Sequence, residues 1–483
     1  MEMYTYQSEG VDWMVERELD DNIKGGVLAD EVGLGKTLMT IHTILQNPKK
    51  NTLILVPKSL VYQWRDEIIK FTTPEQITFH IFEKKTLFNT IPGKVSVCIA
   101  SHSVINSRMY QDRDLNMCQL FRKKWDRIVI DEGHVIKNSK SKMSKRVFLL
   151  KSDIKWVLTA TPLMNKLNDF INILKWVGVN RDCSTTYTKN INEKYVKRRT
   201  KEDINMKLPE LTVDVCRIPL DKESEEWEVY KEAYELARRE LKIAKYEEGN
   251  EMICALRMLM HMRQVCTYPQ LFYDSVAKKE ETDPKIYTGK CSKIQLLCQK
   301  IKAQSHDDKS LVFCEFKKEM THIQEQLTNL GIETLMLTGS MTNLERANEV
   351  HSFNTDINKK VFIIQRSIGG VGYNFQIANH VYIMSPTWNP SLQLQIIGRA
   401  HRTGQQKPVN VTLFAIGENN ESRLFIEEWM MSLQDKKRNL IAKILNDERI
   451  KTQETGGAYL RANKIANNIS FRVIYNIFMK KLT

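Results

Sequence analysis

The sequence is poor in the residues that would mark several protein classes. Its 483 residues include only 9 cysteines, 12 prolines and 20 glycines. The cysteines are odd in number and none forms a Cys-x-x-Cys pair, which argues against a zinc site and a disulfide framework. Proline and glycine are too scarce for collagen, and a hydrophobic share of 42% excludes wholesale disorder. We expect a globular chain with buried cores.

Segments that direct chains into membranes are also lacking. No run of about 18 apolar residues occurs, so none is expected to span a bilayer. The first residues, MEMYTYQSEGVDWM, have no charged region followed by an apolar stretch, so we expect no secretory signal. We expect no membrane partner, and a location in the compartment of synthesis or in the nucleus.

Charge, in contrast, is plentiful and uneven. The chain has 72 Lys+Arg against 58 Asp+Glu, a formal net charge of +14. Residues 121–151 and residues 437–483 each carry ten basic and three acidic side chains, so these two windows account for the whole excess. Charge alone does not separate solvated surfaces from a surface that binds a polyanion.

Short apolar runs alternate with helical patterns in two parts of the chain. Each run is rich in β-branched residues and almost wholly apolar, as in parallel sheets covered by helices on both faces. The first part predicts strands at Val27–Ala29, Thr52–Val56, Val95–Ala100, Arg127–Asp131 and Trp156–Thr159. The second part predicts strands at Leu311–Cys314, Thr334–Leu337, Val361–Ile364, Val381–Met384 and Val409–Ile416.

Between these parts the apolar positions recur at helical spacing, as in Glu223–Tyr246 and Met252–Val265. We predict an α/β fold with two parallel-sheet lobes, a helical insert between them and a helical C-terminal tail. The predicted domains are an N-terminal lobe at 1–180, a helical protrusion or linker region at 181–290, a C-terminal lobe at 291–435 and a basic tail at 436–483.

A phosphate site is predicted directly after the first strand. Residues 29–37 read ADEVGLGKT and precede a helical run. A strand, a glycine-rich turn and a helix N-terminus direct backbone N–H groups and the helix dipole at an anion. Lys36 would reach the β- and γ-phosphates and Thr37 would bind Mg²⁺. Asp30 stands where the strict P-loop pattern has its first glycine.

A second acidic cluster supports this interpretation. The strand Arg127–Asp131 runs into Asp131-Glu132-Gly133-His134. In a parallel sheet, ligands bind at the carboxyl ends of the strands, beside a P-loop. Asp131 would hold Mg²⁺ and Glu132 would polarise the attacking water.

These residues resemble those of the Swi/Snf-type double-stranded-DNA translocases of helicase superfamily two. ADEVGLGKT is similar to that family's ADEMGLGKT, and DEGH resembles its second motif. Further similar segments follow in the family's order, up to the specific string GGVGYN, WNP and QIIGRAHRTGQ. They are YQ with GVDWM (6–14), LILVPKSLVYQW (53–64), IASHSVI (99–105), LTATPLMN (158–165), VKRRTKEDINMKLPEL (196–211), LRMLMHMRQVCTYPQLF (256–272), SLVFCEF (310–316), LTGSMTNLERANEVHSFN (337–354) and 367–405.

The resemblance implies two RecA-like lobes, ATP and Mg²⁺ as cofactors, and a site completed by both lobes. Arg399 and Arg402, which we expect at the start of a helix, would be arginine fingers, and Gln395 would contact the γ-phosphate. Gln7 would recognise adenine. The remaining implied ATP contacts are Asp30, Glu31, Val32, Gly33, Leu34, Gly35, Lys36, Thr37 and Gly370. Implied nucleic-acid contacts are Lys58, Ser101, Thr161, Thr338, Gly339 and Trp388, of which Trp388 is equally compatible with simple packing.

Two departures from the family pattern bear on the coupling to DNA. Gln365 stands where Ser or Thr is common, and Tyr373 replaces a small or aliphatic residue. Neither removes a catalytic group.

The predicted function is a DNA-dependent ATPase that moves along duplex DNA and remodels protein–DNA complexes in transcription or chromatin regulation. Expected partners are double-stranded DNA and nucleosomes or transcription factors. The alternatives are a strand-separating or RNA-stimulated helicase of the same superfamily, and a non-catalytic DNA-binding transcription regulator. The compact chain resembles viral members of the family, such as baculovirus global transactivators, which implies action in a host nucleus.

Overall fold

The computed structural model describes residues 3–83, 88–107, 118–160, 167–179, 194–246, 251–369, 373–388, 390–417 and 425–445. The chain divides between Lys207 and Leu208 into two compact units. We call the described residues up to Lys207 the first lobe and those from Leu208 to Arg438 the second lobe. The predicted boundaries at 180, 290 and 435 stay predictions.

The first lobe is built on a seven-stranded parallel sheet with the strand order β3-β4-β2-β5-β6-β1-β7. The five predicted strands are all present, and the two strands at the edges of the sheet were not predicted. The strands are β1 (Lys24–Leu28), β2 (Asn51–Val56), β3 (Ile77–Phe82), β4 (Val95–Ser101), β5 (Lys124–Asp131), β6 (Lys151–Leu158) and β7 (Val196–Lys197).

Both faces of this sheet are buried, which is why its strands appear as apolar runs. Leu53 and Leu55 of β2 belong to one core cluster, whereas Ile54 and Val56 belong to the cluster on the opposite face. The covering helices are α1 (Thr5–Leu19), α2 (Lys36–Gln46), α3 (Val61–Phe71), α4 (His102–Ile105), α5 (Gln119–Arg122), α6 (Lys142–Val147) and α7 (Leu167–Val177), with short 3₁₀ helices at Lys58–Leu60 and Gly133–Ile136.

The second lobe contains a six-stranded parallel sheet with the order β10-β11-β9-β12-β13-β8. The two sheets and their covering helices confirm the predicted fold of two RecA-like lobes. The five predicted strands of this lobe are confirmed. The strands are β8 (Leu211–Ile218), β9 (Ser310–Cys314), β10 (Thr334–Leu337), β11 (Val361–Gln365), β12 (His380–Ile383) and β13 (Val409–Ile416).

The interval 181–290 is not helical throughout, because β7 and β8 lie inside it. β8 is the edge strand of the second sheet and pairs with β13 along its whole length. Its alternate residues Leu211, Val213 and Val215 are exposed by 37%, 45% and 39%, so the strand lacks the buried pattern that marks its neighbours.

The predicted helices of this interval are confirmed with small shifts of their ends. Together with the other helices of the second lobe they are α8 (Glu225–Tyr246), α9 (Glu251–Thr267), α10 (Gln270–Glu280), α11 (Ser292–Lys302), α12 (Lys317–Asn329), α13 (Asn343–Thr355), α14 (Arg366–Gly369), α15 (Pro390–Ala400) and α16 (Ile426–Leu445). The predicted helical tail beyond Leu445 lies outside the described residues. In the described ranges, no helix is both long and apolar enough to cross a bilayer.

A buried ion pair joins α1 to the strand that ends in Asp131. Arg127 of β5 and Glu18 of α1 have side chains that are 1% and 0% exposed, with 2.5 Å between Nη2 and Oε2. Arg127 Nε also donates to Glu18 Oε1 at 2.6 Å, and Trp156 Nε1 donates to the same oxygen at 2.8 Å. Asn47 Nδ2 donates to Glu18 Oε2 at 2.7 Å, so both oxygens of the Glu18 carboxylate accept hydrogen bonds.

We expect Glu18→Ala to lower the free energy of unfolding of the first lobe by about 3–5 kcal/mol, because it leaves the Arg127 charge buried and unpaired. Lys124→Ala on the same strand is the matched control. It removes an exposed pair with Asp153 and should leave the free energy of unfolding close to that of the wild type. Urea unfolding followed by circular dichroism measures both. Equal losses of unfolding free energy in the two variants would contradict a stabilising role of the Glu18–Arg127 pair.

Candidate functional site

The ADEVGLGKT segment forms the expected turn between β1 and α2. Gly33 and Gly35 lie in the left-handed region, with φ of 95° and 83°, where glycine is favoured. Gly35 is the N-cap of α2, which begins at Lys36. The first N–H groups of a helix have no partner within it, so this turn offers backbone donors and a positive dipole to an anion.

Lys36 lies at the centre of this turn. Its Nζ donates to the carbonyl oxygens of Asp30 at 2.6 Å and of Glu31 at 3.1 Å. Burial lowers the pKa of the Lys36 ammonium, while the Asp30, Glu132 and Asp131 carboxylates oppose that shift. The predicted lysine and the predicted acidic pair therefore share one site.

Gln7 of α1 contacts the same turn. Its Nε2 donates to the Leu34 carbonyl at 3.4 Å, and its Oε1 accepts from Tyr4 N at 3.1 Å. A Cβ at Gly35 would lie 2.5 Å from Gln7 Nε2, so a larger residue here would displace the end of the Gln7 side chain. The structure thus brings the predicted adenine-recognising residue against the predicted phosphate loop.

Asp131 ends β5 and is held by two donors. Trp64 Nε1 donates to its Oδ2 and Glu132 N donates to its Oδ1, both at 2.8 Å. Burial and the neighbouring Glu132 carboxylate raise the pKa of Asp131 to about 6. The proximity of a second carboxylate makes this a place where a cation is favoured.

Glu132 has a left-handed backbone, with φ 50° and ψ 49°. Such a conformation is unusual for a residue other than glycine and is found at functional sites. Its Oε2 lies 3.2 Å from His134 Nδ1. The next residue must be glycine here, because a Cβ at Gly133 would lie 2.1 Å from Cγ1 of Val157.

The site has the donors that Mg²⁺ prefers. This ion takes hard oxygen ligands, keeps several waters and is held by one or two protein groups together with substrate phosphates. Asp131 at the end of β5 and the Thr37 hydroxyl on the first turn of α2 fit that role. Among the described residues, no cluster of three or more His, Cys, Asp or Glu side chains is arranged for a metal.

In the predicted phosphate loop, the Asp30 side chain forms a buried ion pair. Its carboxylate is fully buried and binds Arg199, with 2.5 Å between Arg199 Nη2 and Oδ2. Glu31 is paired with Lys201, whose Nζ lies 3.6 Å from Oε1. The sequence pattern marks Arg199 as part of the segment 196–211, but it does not indicate that Arg199 binds Asp30, which lies 169 residues away.

Two predicted nucleic-acid contacts of the first lobe lie on the same sheet edge as Asp131. Lys58 follows β2 and is exposed, and Ser101 ends β4, with its Oγ 2.7 Å from Ser103 Oγ. Because all strands are parallel, their carboxyl ends meet at one edge. Thr161, the third predicted contact, lies outside the described residues.

The basic stretch after the DEGH strand is only partly a charged surface. Lys140, Lys142 and Lys145 are exposed, as a phosphate-contacting surface requires. Arg146 is 1% exposed and donates to the carbonyl oxygens of Ile105 and Ser107, both at 2.8 Å. Its charge therefore serves the fold, as does that of Arg127, so only part of the basic window 121–151 is available to a polyanion.

Thr338 and Gly339 follow β10 in the second lobe. Gly339 N donates to Gln365 Oε1 at 2.9 Å, and its carbonyl accepts from Arg346 Nη2 at 2.9 Å. Thr338 Oγ1 lies 3.0 Å from Ser340 Oγ. The unusual Gln365 thus holds the turn that carries both predicted contacts, a link that the sequence did not indicate.

Trp388 is packed as well as partly accessible. Its ring meets Trp429 edge-on at 5.7 Å between centroids, and the Arg263 guanidinium carbon lies 5.8 Å from its centroid. The packing interpretation of this tryptophan is therefore supported, and a nucleic-acid contact stays a prediction.

Gln395 and Arg399 lie four residues apart on α15 and therefore on one face of it. Their exposed fractions are only 7% and 8%. Arg402 lies in the turn after the helix. The expectation that Arg399 and Arg402 start a helix is wrong, because Pro390 starts it and Ala400 ends it.

The trailing HRTGQ string has a structural role that its pattern did not reveal. Gly404 has φ of 96°, and Gln405 Nε2 donates to the carbonyls of Ala378 at 2.9 Å and Ala400 at 3.2 Å. Gln405 therefore fixes the turn that carries Arg402. Gly370, the last predicted ATP contact, lies outside the described residues.

Two family models match the chain. Residues 6–192 match the SNF2-related domain, and residues 292–404 match the helicase conserved C-terminal domain. The first covers the phosphate turn and the DEGH strand, and the second covers Arg399 at the end of α15 and Arg402 in the turn that follows.

Whole-chain comparisons find similar proteins of different lengths. The probable global transactivator of Orgyia pseudotsugata multicapsid polyhedrosis virus is 29% identical, over 92% of this chain and 93% of that protein. The human SWI/SNF-related matrix-associated actin-dependent regulator of chromatin subfamily A member 1 is 28% identical over 87% of this chain, which spans only 42% of that longer protein. The Sulfolobus solfataricus SWI2/SNF2 ATPase core in complex with dsDNA aligns at a TM-score of 0.40 and 23% identity, over 93% of this chain and 94% of that one.

Proposed function

The chain belongs to the SNF2-related family of helicase-like ATPases, and on this premise we propose that it uses ATP hydrolysis to move along double-stranded DNA. The observation that carries the proposal is the shared site of Lys36, Asp131 and Glu132 at the carboxyl edge of the first sheet. Hydrolysis of a phosphoanhydride requires a phosphate-binding turn with a lysine, and two adjacent carboxylates beside it.

Each residue of the first lobe then has a distinct task. Lys36 leaves the carbonyls of Asp30 and Glu31 to contact the β- and γ-phosphates, while the N–H groups of the turn bind the remaining oxygens. Gln7, against Gly35, recognises the base. Glu132 orients the attacking water and accepts its proton. Mg²⁺, held by Thr37 and Asp131, would neutralise charge on the phosphate oxygens.

Lys36 is prepared for this exchange. In the structure its ammonium group already bonds two carbonyl oxygens of the turn at 2.6 Å and 3.1 Å. The loss of those two bonds is offset by bonds to phosphate, in which the acceptor oxygen carries a charge as well as the ammonium donor. The loop therefore has a defined arrangement before the substrate binds.

Contacts to the DNA backbone suit a protein that must move along any sequence. We assign such contacts to Lys58, Ser101, Thr161, Thr338, Gly339 and Trp388, and to the exposed lysines 140, 142 and 145. Phosphate contacts position a protein without reading bases. The names of the viral transactivator and of the human chromatin regulator support an action on protein–DNA complexes in transcription, in the nucleus or in a host nucleus.

The test is ATP turnover by the full chain with double-stranded DNA, single-stranded DNA and RNA across a salt series. We expect the strongest stimulation by duplex DNA. Because lysines displace condensed counterions, the affinity for DNA should fall on a log–log plot with a slope of about −0.9 per phosphate contact. Lys140→Gln combined with Lys142→Gln and Lys145→Gln should make this slope shallower.

Three outcomes would decide against the proposal. Preferential stimulation by RNA, or efficient strand displacement, favours a helicase of the same superfamily. Binding of DNA without any turnover favours a non-catalytic regulator. As a control for the triple variant, Lys359→Gln removes a lysine of the second lobe that is already paired with Glu333 at 2.5 Å, and should leave the slope unchanged.

A further inference from the structure

The segment after β7 runs along the outer side of the phosphate loop. β7 pairs with Val27 and Leu28 of β1. The backbone contact continues past the strand, since Ala29 N donates to the Lys197 carbonyl at 2.7 Å and Glu31 N donates to the Arg199 carbonyl at 2.9 Å. Residues 29–31 are therefore fixed by residues 197–199, far away in sequence.

The Arg199 side chain strengthens this attachment. Its Nη2 and Nε donate to the two carboxylate oxygens of Asp30 at 2.5 Å and 3.2 Å, and its backbone N donates to Oδ1 at 2.9 Å. Asp30 is fully buried, and the Arg199 side chain is 11% exposed. A two-point bond between a guanidinium and a carboxylate fixes orientation as well as distance.

Arg199 also contacts the helix that carries Gln7. Its Nη1 donates to the Tyr6 carbonyl, and its guanidinium carbon lies 5.5 Å from the centroid of the Tyr6 ring. Gly10 on the same helix makes room for it, because a Cβ there would lie 2.8 Å from Arg199 Nη2 and 2.4 Å from Met39 Sδ. One side chain thus joins α1, α2 and the phosphate loop.

Lys36 contacts the backbone of the same two loop residues, Asp30 and Glu31. Lys36 Nζ donates to the carbonyls of Asp30 and Glu31, and these two residues are the ones that Arg199 holds from the other side. When Lys36 turns to a phosphate, both carbonyls lose a donor. A change at the nucleotide therefore acts first on the part of the loop that residue 199 supports.

We propose that Arg199 is a positioning residue that fixes the phosphate loop through Asp30 and transmits nucleotide occupancy to the segment 196–207. This segment leads directly into the second lobe, which begins at Leu208. The inference rests on the proposed binding of ATP. As a consequence, residues 196–207 respond to whether a nucleotide is bound at the phosphate loop.

The experiment is amide hydrogen exchange of residues 196–207 in the full chain, with and without Mg²⁺ and the slowly hydrolysed analogue ATPγS. In the wild type, saturating nucleotide changes exchange in this segment. In Arg199→Met the change is lost even at saturation, and the KM for ATP rises about tenfold or more, since a charge-assisted bond to a buried carboxylate is gone. The kcat stays within about threefold because no group that touches the reacting atoms is altered.

Two variants separate this role from simple support of the fold. Arg199→Lys keeps the charge but only one contact point, so it should restore part of the exchange response. Arg146→Met removes another buried arginine of the first lobe and should keep the full response. Should Arg199→Met fail to fold, Asp30→Asn weakens the same pair and takes its place in the measurement.

The contrary results are distinct from one another. A nucleotide response that persists in Arg199→Met or Asp30→Asn overturns the positioning role while leaving the ATPase intact. A wild type that binds ATPγS without any change in residues 196–207 overturns the transmission. A wild type that binds no nucleotide overturns the proposed function itself, and this inference with it.

Discussion

Glu132→Gln is expected to lower ATP turnover by about 10²–10⁴-fold, because the amide cannot accept the proton of the attacking water. Binding of ATP should persist, since Lys36 and the glycine turn are unchanged. Asp131, freed from the neighbouring charge that helps to raise its pKa, remains available to the cation. Single-turnover hydrolysis and equilibrium binding of a fluorescent ATP analogue measure the two effects separately.

The matched control is Asp153→Asn, which makes the same change from carboxylate to amide in the same lobe. Asp153 lies near the beginning of β6, 66% exposed, at the sheet edge opposite to Asp131. Its turnover should equal that of the wild type. If Glu132→Gln kept more than about a tenth of the activity, a loss of less than about 1.4 kcal/mol of transition-state stabilisation, Glu132 would not be the base.

The fold was largely accessible from the sequence because buried parallel strands have a simple pattern. When both faces of a strand are covered, consecutive positions are apolar, as in residues 53–56 of β2, so short apolar runs stand out between helical segments. The phosphate turn was equally visible, since its glycines and lysine are adjacent in the chain. The edge strand β8 escaped because residues 211–215 are all exposed, so polar and apolar residues alternate there and no apolar run marks the strand.

The contacts that fix the site were not accessible in the same way. Trp64 holds Asp131 from 67 residues away, and Arg199 holds Asp30 from 169 residues away. Such pairs are set by which strands become neighbours, and no local spacing encodes that. The expectation that Arg399 starts a helix is wrong for a local reason, because Pro390 favours the first helical position and the helix begins there.

Arg399 and Arg402 are the side chains for which we expect the second large effect. Arginine fingers stabilise the charge of the transferred phosphoryl group and contribute about 10³–10⁵ to kcat. We therefore expect Arg399→Ala and Arg402→Ala each to reduce DNA-stimulated turnover by at least about 10³-fold, with ATP binding retained in the first lobe.

Lysine at either position should restore little, because an ammonium group lacks the planar fork that contacts two phosphate oxygens at once. The control is Arg217→Ala on β8, an exposed arginine of the same lobe, which should leave turnover unchanged. Arg399 is 8% exposed at the end of α15, so circular dichroism must show that its variant keeps the helix. A folded Arg399→Ala protein with undiminished turnover would assign the finger to Arg402 alone, and undiminished turnover in both variants would remove arginine fingers from the mechanism.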